Sequence, residues 1–140
     1  MTFRVILVLC LFAAITGGHG PANAETRPQF LRVVECAAAF LKTGTIFRAE
    51  RAIGTTTDGQ KMTLEKIDFW DQRARVLVEF LFNESAYANE AETQLSAEMD
   101  AWLAVFENAT DQRIVVRTKS LALTTALECN KEFMAAKWFP

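Results

Sequence analysis

Histidine is almost missing from this chain. Its one copy, His19, falls inside an N-terminal segment that reads as an export signal, so the rest of the sequence has none. That removes the commonest general base and the commonest metal ligand. Zinc sites built on histidine, haem sites with a histidine ligand, and Ser-His or Cys-His nucleophile pairs are excluded. The Glu-x-x-His pattern of di-iron bundles is excluded with them. Backbone breakers are scarce too. Beyond the signal there are three glycines (Gly44, Gly54, Gly59) and two prolines (Pro28, Pro140). So few breakers disfavour a many-turned β-sandwich and favour long helices. Basic residues are lacking between Val76 and Gln112, and the chain carries no excess of positive charge. Nothing in that balance points to nucleic acid. No apolar run approaches the roughly 20 residues that cross a membrane.

The longest apolar run is Val5–Ile15, preceded by Arg4 and followed by Thr16, Gly17, Gly18, Gly20 and Pro21. Ala22-Asn23-Ala24 comes next, with small residues where a signal peptidase inspects the chain. This order is the secretory pattern. It predicts removal of residues 1–24 and export, in a bacterium to the periplasm and otherwise outside the cell. Cys10 sits within the apolar run after bulky Leu9, which does not suit lipidation. The remainder, Glu25–Pro140, is expected to be one helical domain with no stable membrane insertion. It carries 14 Lys+Arg against 17 Asp+Glu, a formal charge of −3.

Four helices are predicted. Thr26-x-x-Gln29 forms a capping-box pattern, with Pro28 tolerated in the first turn. Phe30, Val33, Ala37, Phe40, Gly44 and Phe47 then share one helical face. Gly54–Gly59 is the clearest loop. A second helix is expected from about Lys61 to Tyr87, with Ile67, Trp70, Ala74, Leu77 and Leu81 inward. Asn89-x-x-Glu92 marks the start of a third, with the stripe Leu95, Met99, Trp102, Phe106 and Ala109. Thr110-Asp111 caps a fourth, with the stripe Ile114, Thr118, Leu121, Thr125, Cys129, Phe133 and Ala136. The segment Arg73–Phe82 is rich in β-formers and also fits a strand. Helix is preferred because hairpin turn signals are missing beside it.

Short connections between four helices predict an up-down-up-down bundle. The first and last helices are then antiparallel. Cys36 is about nine residues into the first and Cys129 about eight from the end of the fourth, so both lie roughly 12–14 Å from the same end. An even cysteine pair in an exported chain predicts a disulfide at that height, Cys36–Cys129.

Chemistry is thinner. Eight acids fall between Val76 and Gln112 (Glu79, Glu84, Glu90, Glu92, Glu98, Asp100, Glu107, Asp111) with no Lys or Arg among them. They read as a solvated face, or as a surface for cations or a basic partner. The Gly54–Gly59 loop lacks the Gly-Lys-Ser/Thr ending of a phosphate loop. No catalytic, metal-ligating or cofactor-binding residue is assigned. The second helix is more apolar than one inward stripe requires. Trp70, Val76, Val78, Phe80 and Phe82 are therefore candidates for a surface that meets a protein partner, a second copy or an apolar ligand. Trp138-Phe139-Pro140 reads as an apolar plug on the bundle end, in preference to an exposed apolar tip for a partner. The expected function is a non-enzymatic, extracytoplasmic binding or interaction protein. A carrier of a small apolar ligand among Phe40, Trp70, Phe80 and Trp102 is the alternative, and a carboxylate-only hydrolase a more remote one.

Overall fold

The structure, a computed structural model, describes residues 25–54 and 63–139. The predicted export signal and most of the Gly54–Gly59 loop lie outside the described residues. Four helices follow in order: α1 Arg27–Ile53, α2 Leu64–Asn83, α3 Ala88–Glu107 and α4 Gln112–Ala135. No strand occurs among the described residues, and Arg73–Phe82 is helical throughout. Helix wins there because the five inward residues of α2 recur every three or four positions into and through that segment. No helix among the described residues is long and apolar enough to cross a membrane.

The helix ends follow capping chemistry. Gln29 accepts the Thr26 N–H in the expected capping box at the start of α1. Gly54 closes α1 in the left-handed region at φ 71°, where a side chain would be strained. Thr63 accepts the Lys66 N–H at 3.3 Å, and Asp111 accepts the Arg113 N–H at 2.8 Å. The α2–α3 break was placed differently by sequence. α2 stops at Asn83, and α3 begins at Ala88 with Tyr87 as its cap, so Asn89 lies inside the helix. The turn is held from another element. Glu25 accepts hydrogen bonds from Ser85 Oγ at 2.6 Å and the Ala86 N–H at 2.8 Å.

Ion pairs fix the topology. Arg27 at the start of α1 meets Glu90 at the start of α3 at 2.8 Å, so these two run parallel. Arg48 near the end of α1 meets Asp71 near the start of α2 at 2.8 Å. Arg32 near the start of α1 meets Glu132 near the end of α4 at 2.6 Å. Both α2 and α4 are thus antiparallel to α1, as a four-helix bundle requires. Cys36 and Cys129 are disulfide-bonded, with Cα atoms 5.5 Å apart and both side chains fully buried.

α1 is the central element. Cys36, Ala37, Ala38, Ala39 and Phe40 are buried in succession, which exceeds one helical turn and leaves no side of the helix in water. Ile67, Trp70, Ala74, Leu77 and Leu81 are the buried residues of α2, the face expected from its spacing. α4 differs from expectation. Its buried residues are Ala122, Ala126, Cys129 and Phe133, while Ile114 and Leu121 are exposed at 44% and 65%. The inward face is rotated by one residue over the first half of the helix. The reason is steric. Alanines at 122 and 126 let α4 lie close to α1, which the short Cα separation at the disulfide demands, and Leu121 on that line would hold the helices apart.

α3 is the least buried helix. Only Ala91 and Trp102 are buried among its 20 residues, with Leu95, Met99 and Phe106 partly covered. Trp102 and Phe106 sit edge to face at 4.8 Å in a small second cluster with Ile46 and Ala122, apart from the main core.

Candidate functional site

The five candidate residues of α2 do not share one face. Successive residues turn by about 100°, so Val76 and Phe80 lie on one flank of the inward stripe and Val78 and Phe82 on the other. Trp70 is buried in the main core, its ring stacked on Phe40 at 5.6 Å. Val76, Val78 and Phe80 are partly buried against that core, and of the five only Phe82 is exposed, at 42%.

Much of the apolar excess of α2 is met by the end of the chain itself. After Ala135 the backbone turns through Lys137 at φ 60°. The Lys137 N–H donates to the Met134 carbonyl and the Trp138 N–H to the Phe133 carbonyl, both at 3.0 Å. This is a Schellman turn with lysine in the position that glycine usually takes. It reverses the tail onto the bundle. Trp138 packs edge to face on Phe80 at 4.9 Å and on Phe133 at 5.2 Å. Phe139 reaches Phe40 at 5.9 Å. Arg73 of α2 lies over Phe69 at 3.6 Å and over Phe139 at 4.9 Å, and donates to Asn130 on α4 at 2.5 Å. The tail is a wedge between α2 and α4, and Arg73 clamps it.

A cleft of about 270 Å³ opens beside this wedge, lined by Val76, Glu79, Phe80, Glu84, Lys137 and Trp138. Phe40, Trp70, Phe80 and Trp102, the residues expected of a ligand carrier, are dispersed. Two fill the main core, Phe80 lies under Trp138, and Trp102 belongs to the second cluster.

The electrostatics are those of structural pairs. Burial works against the Arg32 charge, but hydrogen bonds to Glu132 and Glu35 outweigh it and raise its pKa. Burial lowers that of Arg73. Asp111 is held below the ordinary carboxylate value by side-chain and backbone hydrogen bonds from Arg113. Among the described residues no group of three or more His, Cys, Asp or Glu side chains is arranged to hold a metal ion.

Exposed surfaces of opposite charge lie on α3 and α4. Two acids of α3 are answered within the chain: Glu90 by Arg27, and Glu98 by Lys42 at 3.3 Å. Glu92, Asp100 and Glu107 are exposed and have no cation within 4 Å among the described residues. Ala97, Ala101, Ala104, Leu103 and Val105 are exposed on the same helix. α4 shows the opposite charge. Arg113, Val116, Arg117, Ser120, Leu121 and Thr124 border a region of about 560 Å³. All of them come from one helix, and one helix cannot enclose a volume, so this is an open face. The sequence spacing hides this face because it places Leu121 inward, whereas Leu121 is exposed. The signal that could have found it is the pair of small residues, Ala122 and Ala126, one step further on.

Compared with protein-family models, curated proteins and solved structures, the chain matches none.

Proposed function

We propose that this chain is exported, that residues 1–24 are removed, and that the remaining bundle works in a bacterial periplasm as a non-enzymatic interaction protein. Its main interaction surface is the outward side of α3. One observation carries this reading: a 20-residue helix with only two buried residues presents three exposed acids without cations of their own. In proteins most helical stability comes from a covered apolar face rather than from propensity. α3 covers little of its own surface, so a partner has much to add. The acids select a basic protein surface. The disulfide supports an oxidising compartment. On α2, Phe82 adds a smaller apolar contact point for a protein partner or a second copy.

Native mass spectrometry of the protein recovered from its host compartment tests this. The expected species begins at Glu25, lacks two hydrogens relative to the dithiol, and carries a second polypeptide that salt removes. A chain that retains residues 1–24 overturns the export reading. A turnover activity abolished by changing one buried polar residue, Thr43 or Ser85, overturns the non-enzymatic one.

A further inference from the structure

We infer that the acidic face of α3 and the basic face of α4 are the two halves of one interface, and that the partner seated on α3 is α4 of a second copy of this chain. The inference rests on the reading of α3 as the interaction surface and names its occupant. Three observations carry it. α3 bears five acids and no cation, whereas the first half of α4 bears Arg113, Arg117 and Lys119 and no acid. Of these cations, Lys119 faces Glu50 inside the chain and Arg113 holds only its neighbour Asp111, while Arg117 has no carboxylate within 4 Å among the described residues. The apolar residues that α3 and α4 leave outside, among them Leu103, Val105, Ile114, Val116 and Leu121, lie near the same end of the bundle.

The register also fits. α3 and α4 are consecutive and antiparallel, so the end of α3 and the start of α4 share one end. Glu107 is the last residue of α3 and Arg113 the second of α4. Asp100 lies about 10 Å back along α3 and Arg117 about 8 Å into α4. A two-fold axis parallel to the helices sets α3 of one copy antiparallel against α4 of the other without changing these heights. Asp100 then faces the second copy's Arg117, and Glu107 its Arg113, each pair occurring twice. Ala97, Ala101 and Ala104 let the backbones approach, and Leu121 packs beside them. The contact is closed, so it stops at two copies.

The test is the mass in solution of the processed protein and of Asp100→Arg, Arg117→Asp and the double variant, by sedimentation equilibrium across concentration. Both substituted sites are exposed, and circular dichroism checks that the bundle is intact. The wild type is expected to be a dimer. Each single reversal is expected to weaken it roughly tenfold or more, and the double reversal to return it to within roughly threefold of wild type. A wild type that stays monomeric at every concentration overturns the inference. So does a dimer indifferent to both reversals, or a double variant that is not rescued. If the wild type is monomeric yet Asp100→Arg loses a different co-purifying polypeptide, the α3 surface stands and only its occupant here is wrong.

Discussion

The Phe139 ring lies 5.9 Å from that of Phe40, so the last residues of the chain pack on the middle of the first helix. Phe139→Ala should therefore behave as a core deletion and lose about 3–4 kcal/mol in urea unfolding. Trp138→Ala should lose less, since Trp138 is only partly buried. Lys137→Gly should gain about 0.5–1 kcal/mol. It relieves a left-handed lysine, and part of that gain is returned through the more flexible unfolded chain.

At Gly44 two effects oppose each other. A Cβ there would stand 2.7 Å from Asp71 Oδ1 and 3.0 Å from Arg48 Nη1, the ends of two adjustable side chains. Gly44→Ala should disrupt the Arg48–Asp71 pair, a loss of at most about 1 kcal/mol for an exposed pair. It should gain about 1 kcal/mol in helix propensity. The net change expected in thermal or urea unfolding is within about 1 kcal/mol of zero. Gly44→Leu cannot be absorbed by side-chain movement and should destabilise by about 2 kcal/mol or more through separation of α1 from α2.

The Cys36–Cys129 bridge spans 93 residues of sequence. On the chain-entropy account, its loss in the double serine variant should lower stability by up to about 4.5 kcal/mol. Because both sulfurs are fully buried, reduction of the wild type should be slow in buffer and fast in denaturant. Timed alkylation followed by mass analysis distinguishes the two.

Asp111 gives an acid-side prediction. Its folded pKa is depressed below 3.8 by Arg113. Its contribution is therefore complete above the ordinary carboxylate value and is lost as pH falls through the lower folded value. Asp111→Asn keeps a capping side chain but cannot ionise, so it should flatten that acid limb and lower neutral-pH stability by the same small amount that the wild type loses on acidification. Asp111→Ala removes the cap as well as the charge and should lower neutral-pH stability further than Asp111→Asn does. Urea midpoints from pH 2 to 7 test both.

The parts of this fold that depend on near neighbours in sequence were legible. The capping box at Thr26, the Asp111 cap, the inward face of α2 and the matching heights of the two cysteines follow from spacing alone. What depended on distant partners was not. The break between α2 and α3 is held by Glu25, far away in sequence. The inward face of α4 was fixed by how closely it must approach α1, which favours alanine over the more apolar leucine beside it. The excess of apolar residues on α2 was visible, but its main use was not. It meets a tail reversed by a lysine in a left-handed turn, a position where glycine would have been the readable signal.

The bridge between Cys36 and Cys129 makes most of the chain a closed ring with short ends. A single cut of the backbone anywhere inside that ring yields no fragment. The two pieces stay in one molecule, heavier by one water, and part only when the sulfurs are reduced. Wherever it meets a protease, the molecule therefore stays in one piece after a first cleavage inside the ring, and a second cut inside it is needed before a fragment of the ring is released.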